Sequence, residues 1–502
     1  MQRRKEIVWL FVVFILCLSV RVHFIGEKKG LDGDEHTSFT LAYNAVGWGE
    51  NAYQEGTYEA ENLRKILFVD DCGGWKGYCS DVKSLWTDNR DPSHASLYYM
   101  LLRTALIGQN STVLSDAVWR ACGLNLLLFA VSFVLMALLL FRIFPNCRWI
   151  PFILLVAYIN PVSVSITLLI REYQAAEMFL VAFALVAVWV YGKVKENKPI
   201  LKFMPVLAFS VTSALLVSVG YFNAFFVIAV SLFCIYRLVV SKQYLQLAFF
   251  PVVAALSVLL CWLFYHGFFN FFGDARTGEV TTKLSGENFF SNIYYSGGAA
   301  VKLLVFDVFG YLMLAVLTGS AIYFVAKKRR LPRIDNVWIF VIAYICFGVV
   351  MILSTWKLSR YVSAYIPMML VPVAYCVVKV LRSWKIVVAV AVIALSQTLF
   401  AGKVRFLMDD FADFPNDRVV YLYATYDGDR NTLSLLIPHL HDGQKVQVIS
   451  DINQISDYNA NGEAVVFADN DMQALLDCPN LKSATQFNSW QMMYVLKYKL
   501  VG

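Results

Sequence analysis

Phe203 to Tyr236 is a stretch of 34 residues without one charged side chain. An uncharged apolar run of about 18 residues or more reads as a helix able to cross a bilayer. This one is long enough for a single helix or for two helices joined by a tight hairpin at "GYFN". Such runs recur along the chain. Spans are expected at roughly 7–25, 119–141, 149–170, 173–192, 202–219, 221–240, 246–267, 303–326, 336–355, 361–378 and 386–402. The first resembles a signal-peptide core, but no A-x-A pattern follows it, so it reads as a retained anchor. The chain is 59% hydrophobic and 16% charged, where soluble domains are about 45–50% apolar and about 25% charged. The expectation is an all-α polytopic membrane protein with about 11 transmembrane helices, up to 13. No internal repeat, zinc pattern or Walker-type loop is present.

Charge decides between helix and hairpin. With a hairpin and a cytoplasmic N-terminus, the inside loops are "QRRKE", "RIFPNCR", "KVKENKPILK", "RLVVSK", "KKRRLPR" and "KVLRSWK". They hold 19 Lys and Arg, against three (Arg171, Lys357 and Arg360) in the short outer loops. One long helix would invert everything after it and put "KKRRLPR" outside, against the enrichment of basic residues on the cytoplasmic side. The hairpin is the better reading. The net charge of +7 then belongs to cytoplasmic loops, and no nucleic-acid partner is implied.

Three long segments face the extracytoplasmic side: 26–118, 268–302 and 403–502. Residues 1–402 read as a transmembrane catalytic domain. The tail 403–502 alternates β-rich stretches ("VVYLYAT", "KVQVIS", "EAVVFAD", "MYVLKYK") with helix-like "NTLSLLIPHL" and "DMQALLDC", as a small α/β domain does. Most cysteines lie in apolar runs, but Cys72 and Cys79 share the polar outer loop "DDCGGWKGYCS" and are a candidate disulfide.

The charges that the cytoplasmic rule leaves unexplained gather at one face. Asp32, Asp34 and Glu35, in "GLDGDEHTSF", follow the first span. Arg90, Asp91 and His94, in "NRDPSHASLYYMLL", precede an amphipathic segment. Arg171 caps a span, with Glu172 and Glu177 just beyond, and Lys357 and Arg360 occupy a short outer loop. Arg21 and Asp307 lie near the outer ends of their helices. Charges so close to hydrocarbon tend to pair or to line a watery cavity. Blander readings exist for each. Arg21 and Arg171 could snorkel to headgroups, Arg360 could pair with Asp307 or Glu177, His94 could be a surface histidine, and the acids could be a solvated loop.

A sugar carried on a membrane lipid phosphate would use this set. Arginine binds phosphate oxygens with a planar fork, and a carboxylate takes the acceptor's hydroxyl proton as it attacks the anomeric carbon. Arg171, Arg360 and Lys357 are the candidate donor-phosphate ligands, and Asp34 with Glu35 the candidate catalytic acids. Arg90, Asp91, His94, Tyr98 and Tyr361 are candidates for the acceptor side. Trp75, Trp86, Tyr98 and Tyr99 could face sugar rings or anchor at the interface. No predicted cytoplasmic loop is large enough for a nucleotide-sugar domain, which favours a lipid-linked donor.

These stretches, taken in order, resemble the GT-C superfamily, specifically the family 39 and aminoarabinose-transferase-like membrane glycosyltransferases. "GDEHTSFTLAYNA" resembles the family's "DE" motif, with Asp34 on its catalytic acid. "HASLYYMLLR" resembles "HPPLYYLLL", aligning His94, Leu97, Tyr98 and Tyr99. "LLIREYQAAEMFLVAFAL" matches Arg171 and Tyr173, and "SRYVSAYIPMMLVP" matches Arg360, Tyr361 and Pro367. The likeness spans roughly 1–400. Ala95 and Ser96 replace the family's two prolines, and the insertion 50–89 has no counterpart in it. The resemblance implies a polyprenyl-phosphate sugar donor, and a glycolipid, lipopolysaccharide or other cell-envelope glycan as acceptor. It also implies an acceptor outside the cytoplasm and often no metal dependence, so no cofactor is expected to be required though a divalent metal is possible. Attack opposite the leaving phosphate would invert the sugar, and the span count gives a multi-pass bacterial inner membrane protein with a cytoplasmic N-terminus and an extracytoplasmic active site and C-terminus.

Asp32 and Asp34 also form a D-x-D, the pattern with which oligosaccharyltransferase-type relatives hold a divalent metal; their W-W-D-Y-G-like signature is absent here. Other readings are a protein O-glycosyltransferase, a transporter or flippase of an anionic lipid-linked glycan, or a non-catalytic scaffold. A transporter would carry charges near the midplane or paired broken helices.

Overall fold

The computed structural model describes the chain apart from residues 1, 44–53, 72, 92, 93, 146, 274–277, 279–288, 311–313, 315–317, 320, 321, 323–335, 355, 382, 383, 408–418, 424–433, 457–462, 469–480, 489–492 and 500–502. Among the described residues, six helical segments are long and apolar enough to cross a membrane. They are Glu6–Gly26, Leu114–Ile143 (α6), Tyr173–Lys195, Tyr221–Val240 (with α11, Ala224–Val240), Tyr244–Phe264 (with α12, Phe249–Phe264) and Ser359–Lys379. A bent pair, α7 (Ile150–Tyr158) and α8 (Pro161–Leu168), makes seven if counted as one span. Shorter apolar helices fall at three more of the expected spans: Phe203–Val217 (α10), Trp338–Leu353 and Val387–Phe400. Half of span 303–326 lies outside the described residues, so the count of eleven to thirteen is not reached. The chain is helical in 203–217 and again in 224–240, with a turn between, as the hairpin reading expects.

The break between α7 and α8 has a local cause. Pro161 cannot donate a backbone hydrogen bond, and the Asn160 side chain accepts from the Ser163 N–H at 2.9 Å, starting a new helix turned by 63°. The Ala157 carbonyl, left without the N–H that Pro161 lacks, accepts from Asn160 Nδ2 at 2.9 Å, and Arg21 of α1 (Gln2–Gly26) donates to Tyr158 O at 3.2 Å and to Ser163 O of α8 at 3.1 Å. Arg21 also bonds Thr167 Oγ1 and Cys17 O and lies over the Phe129 ring at 3.7 Å. It is fully buried, so the snorkelling reading of Arg21 is corrected: its guanidinium is spent on carbonyls and a hydroxyl inside the bundle. Glu177, on α9 (Tyr173–Lys195), accepts from Ser132, Ser163 and Gln174 and does not meet Arg360.

The described strands form one sheet in the order β1-β3-β2-β4-β6-β5. Its strands are β1 (Gly56–Glu59), β2 (Val419–Tyr423), β3 (Lys445–Ile449), β4 (Glu463–Ala468), β5 (Leu481–Asn488) and β6 (Met493–Lys499). The middle strands β3, β2 and β4 pair in parallel, and the outer pairings are antiparallel. The four β-rich stretches of the tail become β2, β3, β4 and β6. "NTLSLLIPHL" is described only as a 3₁₀ turn at Ser434–His439, and "DMQALLDC" lies outside the described residues.

Strand β1 comes from the insertion 50–89, not from the tail. It adds to the free edge of β3, which needs a partner for its unpaired backbone groups. Helix α3 (Ala60–Phe68) follows at once, and its buried Arg64 donates to Leu440 O and pairs with Asp442. The rest of the insertion, helix α4 (Trp75–Thr87), is tied down by the buried Arg103 of α5 (Leu97–Ala105), bonded to Asp81 at 2.9 Å and Asp70 at 2.7 Å. Cys79 is exposed on α4, while Cys72 lies outside the described residues, so their pairing does too. One apolar core runs from the spans through Leu67 and Phe68 to Val420, Val446 and Phe467 of the sheet.

Replacing Arg21 with methionine should leave the Tyr158 carbonyl at the break without its Arg21 donor and remove the buried charge that also bonds Thr167 Oγ1. We expect a loss of about 3 kcal/mol, the scale for breaking a buried charged hydrogen-bond network. A lower thermal midpoint of the detergent-purified protein checks this; an unchanged midpoint would mean the break finds other donors.

Candidate active site

The acids of "DGDEH" have three different fates. Helix α2 (Gly33–Ala42) starts at this point, and Asp32 is its N-cap, accepting from the Asp34 N–H at 3.1 Å. Glu35 reaches back to the Asp32 N–H at 2.6 Å, completing a capping box. The D-x-x-E spacing carried that signal, which the motif reading passed over. Glu35 Oε2 also takes Lys28 Nζ at 2.9 Å, and its Oε1 takes the Ile170 N–H at 2.9 Å. Burial pushes this carboxyl up from its ordinary range, against the pull of Lys28. Glu35 is 0% exposed, so it fixes the helix start and is not open to substrate, contrary to the expectation of a catalytic pair.

Asp34 points the other way. Its Oδ2 meets Arg360 Nη1 at 2.7 Å, across more than three hundred residues of chain, and Asp32 Oδ1 lies 3.8 Å from the same nitrogen. The Asp34 and Arg360 side chains keep 18% and 16% of their surface exposed, so both can be reached. Arg360 opens a 3₁₀ segment, Ser359–Tyr365, and its guanidinium lies 5.6 Å from the Tyr361 ring centre. Its buried Nε makes no hydrogen bond among the described residues. Arg360 therefore pairs with neither Asp307 nor Glu177.

A second cluster backs α2. Arg171 donates to Tyr99 Oη at 2.7 Å and to Ser38 Oγ at 3.4 Å, and its Nη2 lies 3.2 Å from His94 Nε2. Ser38 in turn donates to the Asp34 carbonyl at 2.9 Å. Asp91 accepts from Tyr99 Oη at 2.8 Å and sits 2.9 Å from His94 Nδ1. Burial would push Asp91 up, but His94, Arg171 and Tyr99 outweigh it and hold this carboxyl well below the usual range. Arg171 is only 1% exposed, which rules out snorkelling and leaves it behind the site, not open to a phosphate in this arrangement.

The other candidates separate. Lys357 donates to Met351 O, Ile352 O and Ser354 O at 2.8–3.0 Å, so its ammonium is spent on the end of a helix and not on a phosphate. Tyr98 is buried, with its hydroxyl donating to Asn125 Oδ1 at 3.1 Å, so it is held inside the fold. Arg90 sits in the left-handed backbone region at φ 57° and is half-buried. Tyr361 is half-buried, edge-on to Tyr173 at 6.2 Å. Trp86 donates to Leu263 O, whereas Trp75 is exposed. Among the described residues, no three His, Cys, Asp or Glu side chains converge as metal ligands; Asp32 and Asp34 face a guanidinium instead. Lys28, which bridges Glu35 and Phe406 O, was missed because a lone lysine after a span reads as an interface charge.

The sequence matches no family model and no curated protein. Among solved structures, ArnT from Cupriavidus metallidurans bound to undecaprenyl phosphate matches 97% of this chain and 98% of its own, with a TM-score of 0.52 at 11% identity. The chain has the GT-C fold. The apo form of the same ArnT matches at a TM-score of 0.46 and 12% identity, over 98% of both chains. An Archaeoglobus fulgidus oligosaccharyltransferase in complex with Zn and sulfate matches at 0.42 and 12% identity, over 92% of this chain and 68% of its own. The GT-C fold is a multi-pass membrane architecture, in keeping with the apolar helices described above.

His36 is buried one residue beyond Glu35, and burial pushes its imidazole down from 6.5 to about 4. Below pH 6.5 the unfolded chain binds a proton that the folded chain refuses, so stability falls as pH drops, until both forms are protonated below about 4. The full loss is about 3 kcal/mol. His36→Leu should flatten thermal stability between about pH 6.5 and 4; an unaltered slope would mean another group titrates there.

Proposed function

We propose that this protein is an inverting membrane glycosyltransferase, moving a sugar from a polyprenyl-phosphate donor to a hydroxyl of an extracytoplasmic glycolipid, lipopolysaccharide or other cell-envelope glycan. The observation that carries this reading is the accessible Asp34–Arg360 pair. It brings a carboxylate suited to take a proton next to a guanidinium suited to take a phosphate. The reading keeps the N-terminus in the cytoplasm and puts α2, the pair and the tail outside.

In this mechanism the acceptor oxygen bonds to the anomeric carbon while Asp34 removes its proton. The bond from that carbon to the phosphate oxygen breaks, and its electron pair leaves with the phosphate. Arg360 stabilises the charge that develops there. An arriving phosphate competes with Asp34 for Arg360, so donor binding itself would release the carboxylate to act as base. The free Nε edge of Arg360 supports this, because it offers a second donor to a phosphate oxygen. Glu35, Arg171, Asp91 and Tyr99 hold α2 and act through position. His94, 12% exposed, is the member of the second cluster best placed for the acceptor side.

The broken span with Arg21 and Glu177 inside the bundle is the observation that would favour a transporter. Both side chains are 0% exposed, and their hydrogen bonds are used within the fold, so they line no path. The transferase reading is the stronger one.

Asp34→Asn should lower transfer from a polyprenyl-phosphate sugar by about 10²- to 10⁴-fold, the scale of a lost general base, with folding retained. Assays on membranes containing the variant check this, and near-wild-type transfer would remove Asp34 from that role. Arg360→Ala should raise the requirement for donor; an effect on the acceptor alone would contradict the phosphate role.

A further inference from the structure

Glu172 takes no part in the Asp34–Arg360 pair and none in capping its own helix. It is the N-cap of α9, yet its side chain makes no bond to the first-turn N–H groups, where a capping side chain accepts one. The carboxylate turns instead toward the second cluster. Its Oε2 lies 3.5 Å from Arg171 Nε and its Oε1 3.7 Å from His94 Nε2. Both are charge contacts, longer than ordinary N–H···O hydrogen bonds. Among the described residues no group hydrogen-bonds this carboxylate, and Arg171 Nε makes no hydrogen bond either. Only 8% of the Glu172 side chain is exposed. A carboxylate buried to that degree is costly unless donors reach it.

Its neighbours are directed elsewhere. Arg171 turns Nη1 to Tyr99 Oη and Ser38 Oγ, and Nη2 to His94 Nε2 at 3.2 Å. A guanidinium only donates, so His94 Nε2 presents its lone pair there. The ring hydrogen then sits on Nδ1, 2.9 Å from Asp91. Nε2 therefore has no hydrogen for Glu172, and the missing donor comes from outside the fold. A phosphate or carboxylate would bring only more acceptors and more negative charge. An ammonium is not required, since Arg171 already balances the Glu172 charge. A sugar hydroxyl donates a hydrogen bond and adds no charge.

The position suits the reaction. Ser38 stands one turn beyond Asp34 on α2, donating to the Asp34 carbonyl and accepting from Arg171. Tyr173, the residue after Glu172, is edge-on to Tyr361, the neighbour of Arg360. Glu172 thus lies between the two clusters. In a displacement with inversion the attacking hydroxyl comes from the side opposite the leaving group. With the phosphate at Arg360, the receiving sugar extends over the Ser38 and Arg171 side of Asp34, where Glu172 and His94 are.

We propose that Glu172 binds a second hydroxyl of the receiving sugar, close to the one that Asp34 deprotonates. The acceptor class is then a sugar with at least two free hydroxyls near each other, and a lone serine or threonine hydroxyl is a poor substitute. The proposal rests on the transferase reading and deepens it, making Glu172 a specificity-determining residue that moves no proton.

The test uses the full-length protein in nanodiscs with a polyprenyl-phosphate sugar as donor. Glycolipid extracted from bacterial cell envelopes and a serine-containing peptide are the acceptor probes. Glu172→Ala should raise the KM for the glycolipid about tenfold to a hundredfold, the scale of a lost hydrogen bond to a charged group, with the donor KM as in wild type. Glu172→Gln should lie between, because its amide oxygen still accepts from a hydroxyl. Wild type should prefer the glycolipid to the peptide, and Glu172→Ala should narrow that preference. Thermal midpoints near wild type show that folding is kept.

An acceptor KM unchanged in both variants overturns the proposal. So does a donor KM that rises in step with the acceptor KM, which would make Glu172 structural. Glu172→Gln as weak as Glu172→Ala would point to a charged ligand group and also overturn it, as would wild-type transfer to the peptide as efficient as to the glycolipid. Each of these leaves the transferase reading standing. Wild type that transfers to neither probe brings down that reading, and this proposal with it.

Discussion

Glu35 is where three distant parts of the chain are held together. One carboxylate takes the Asp32 N–H at the start of α2, the Ile170 N–H after the broken span, and the ammonium of Lys28, which itself reaches the carbonyl of Phe406 beyond the last helix. The Lys28 and Glu35 side chains are 0% exposed. A buried ion pair is often no more stable than an apolar replacement, but removing one partner leaves an uncompensated charge and costs several kcal/mol. The arrangement is thus all or nothing, and it sets the orientation of the next acid along. Asp34 can face Arg360 because Glu35 cannot turn.

The same logic runs through the spans. A helix break inside hydrocarbon is tolerated only where protein donors take over the freed carbonyls. Asn160 does this at Ala157 and Arg21 at Tyr158, and Asn125 does it at the other end of α8, donating to Thr167 O and Leu169 O. The short helix α8 is therefore fixed at both ends. Its C-terminal end delivers Ile170 to Glu35 and Arg171 to Tyr99. Polar residues deep in the bundle are in this way part of how the face that carries Asp34 is built.

Much of this was legible, for definite reasons. Apolar runs mark spans because hydrocarbon forces them, and six stand out as long helices. The meeting of Asp34 with Arg360 could be anticipated from topology, because both acids and arginines collected at one face. The functions of individual charges were less legible. Glu35, Lys357 and Tyr98 looked like site residues because they sit in the right stretch, but burial and hydrogen bonding, which spacing does not report, give them to the scaffold. Strand β1 was invisible for another reason. Its four residues (Gly56–Glu59) are polar and mostly exposed, and they form a strand because β3 offers an open edge.

That edge pairing changes how the tail relates to the face that carries Asp34 and Arg360. Residues 56–68 enter the sheet as β1 and leave as α3, whose Arg64 is bonded to Leu440 O and Asp442. Helix α3 then packs toward α2 through Phe68, edge-on to Phe39 at 5.7 Å, and the Phe68 carbonyl accepts from Tyr43 at 3.0 Å. The sheet therefore bears on the helix that carries Asp34 from one side, while Phe406, through Lys28, bears on it from the other. A helix of ten residues is too short to hold its own position. Its geometry is set from outside, by a strand borrowed from the first loop and by the chain that follows the last span.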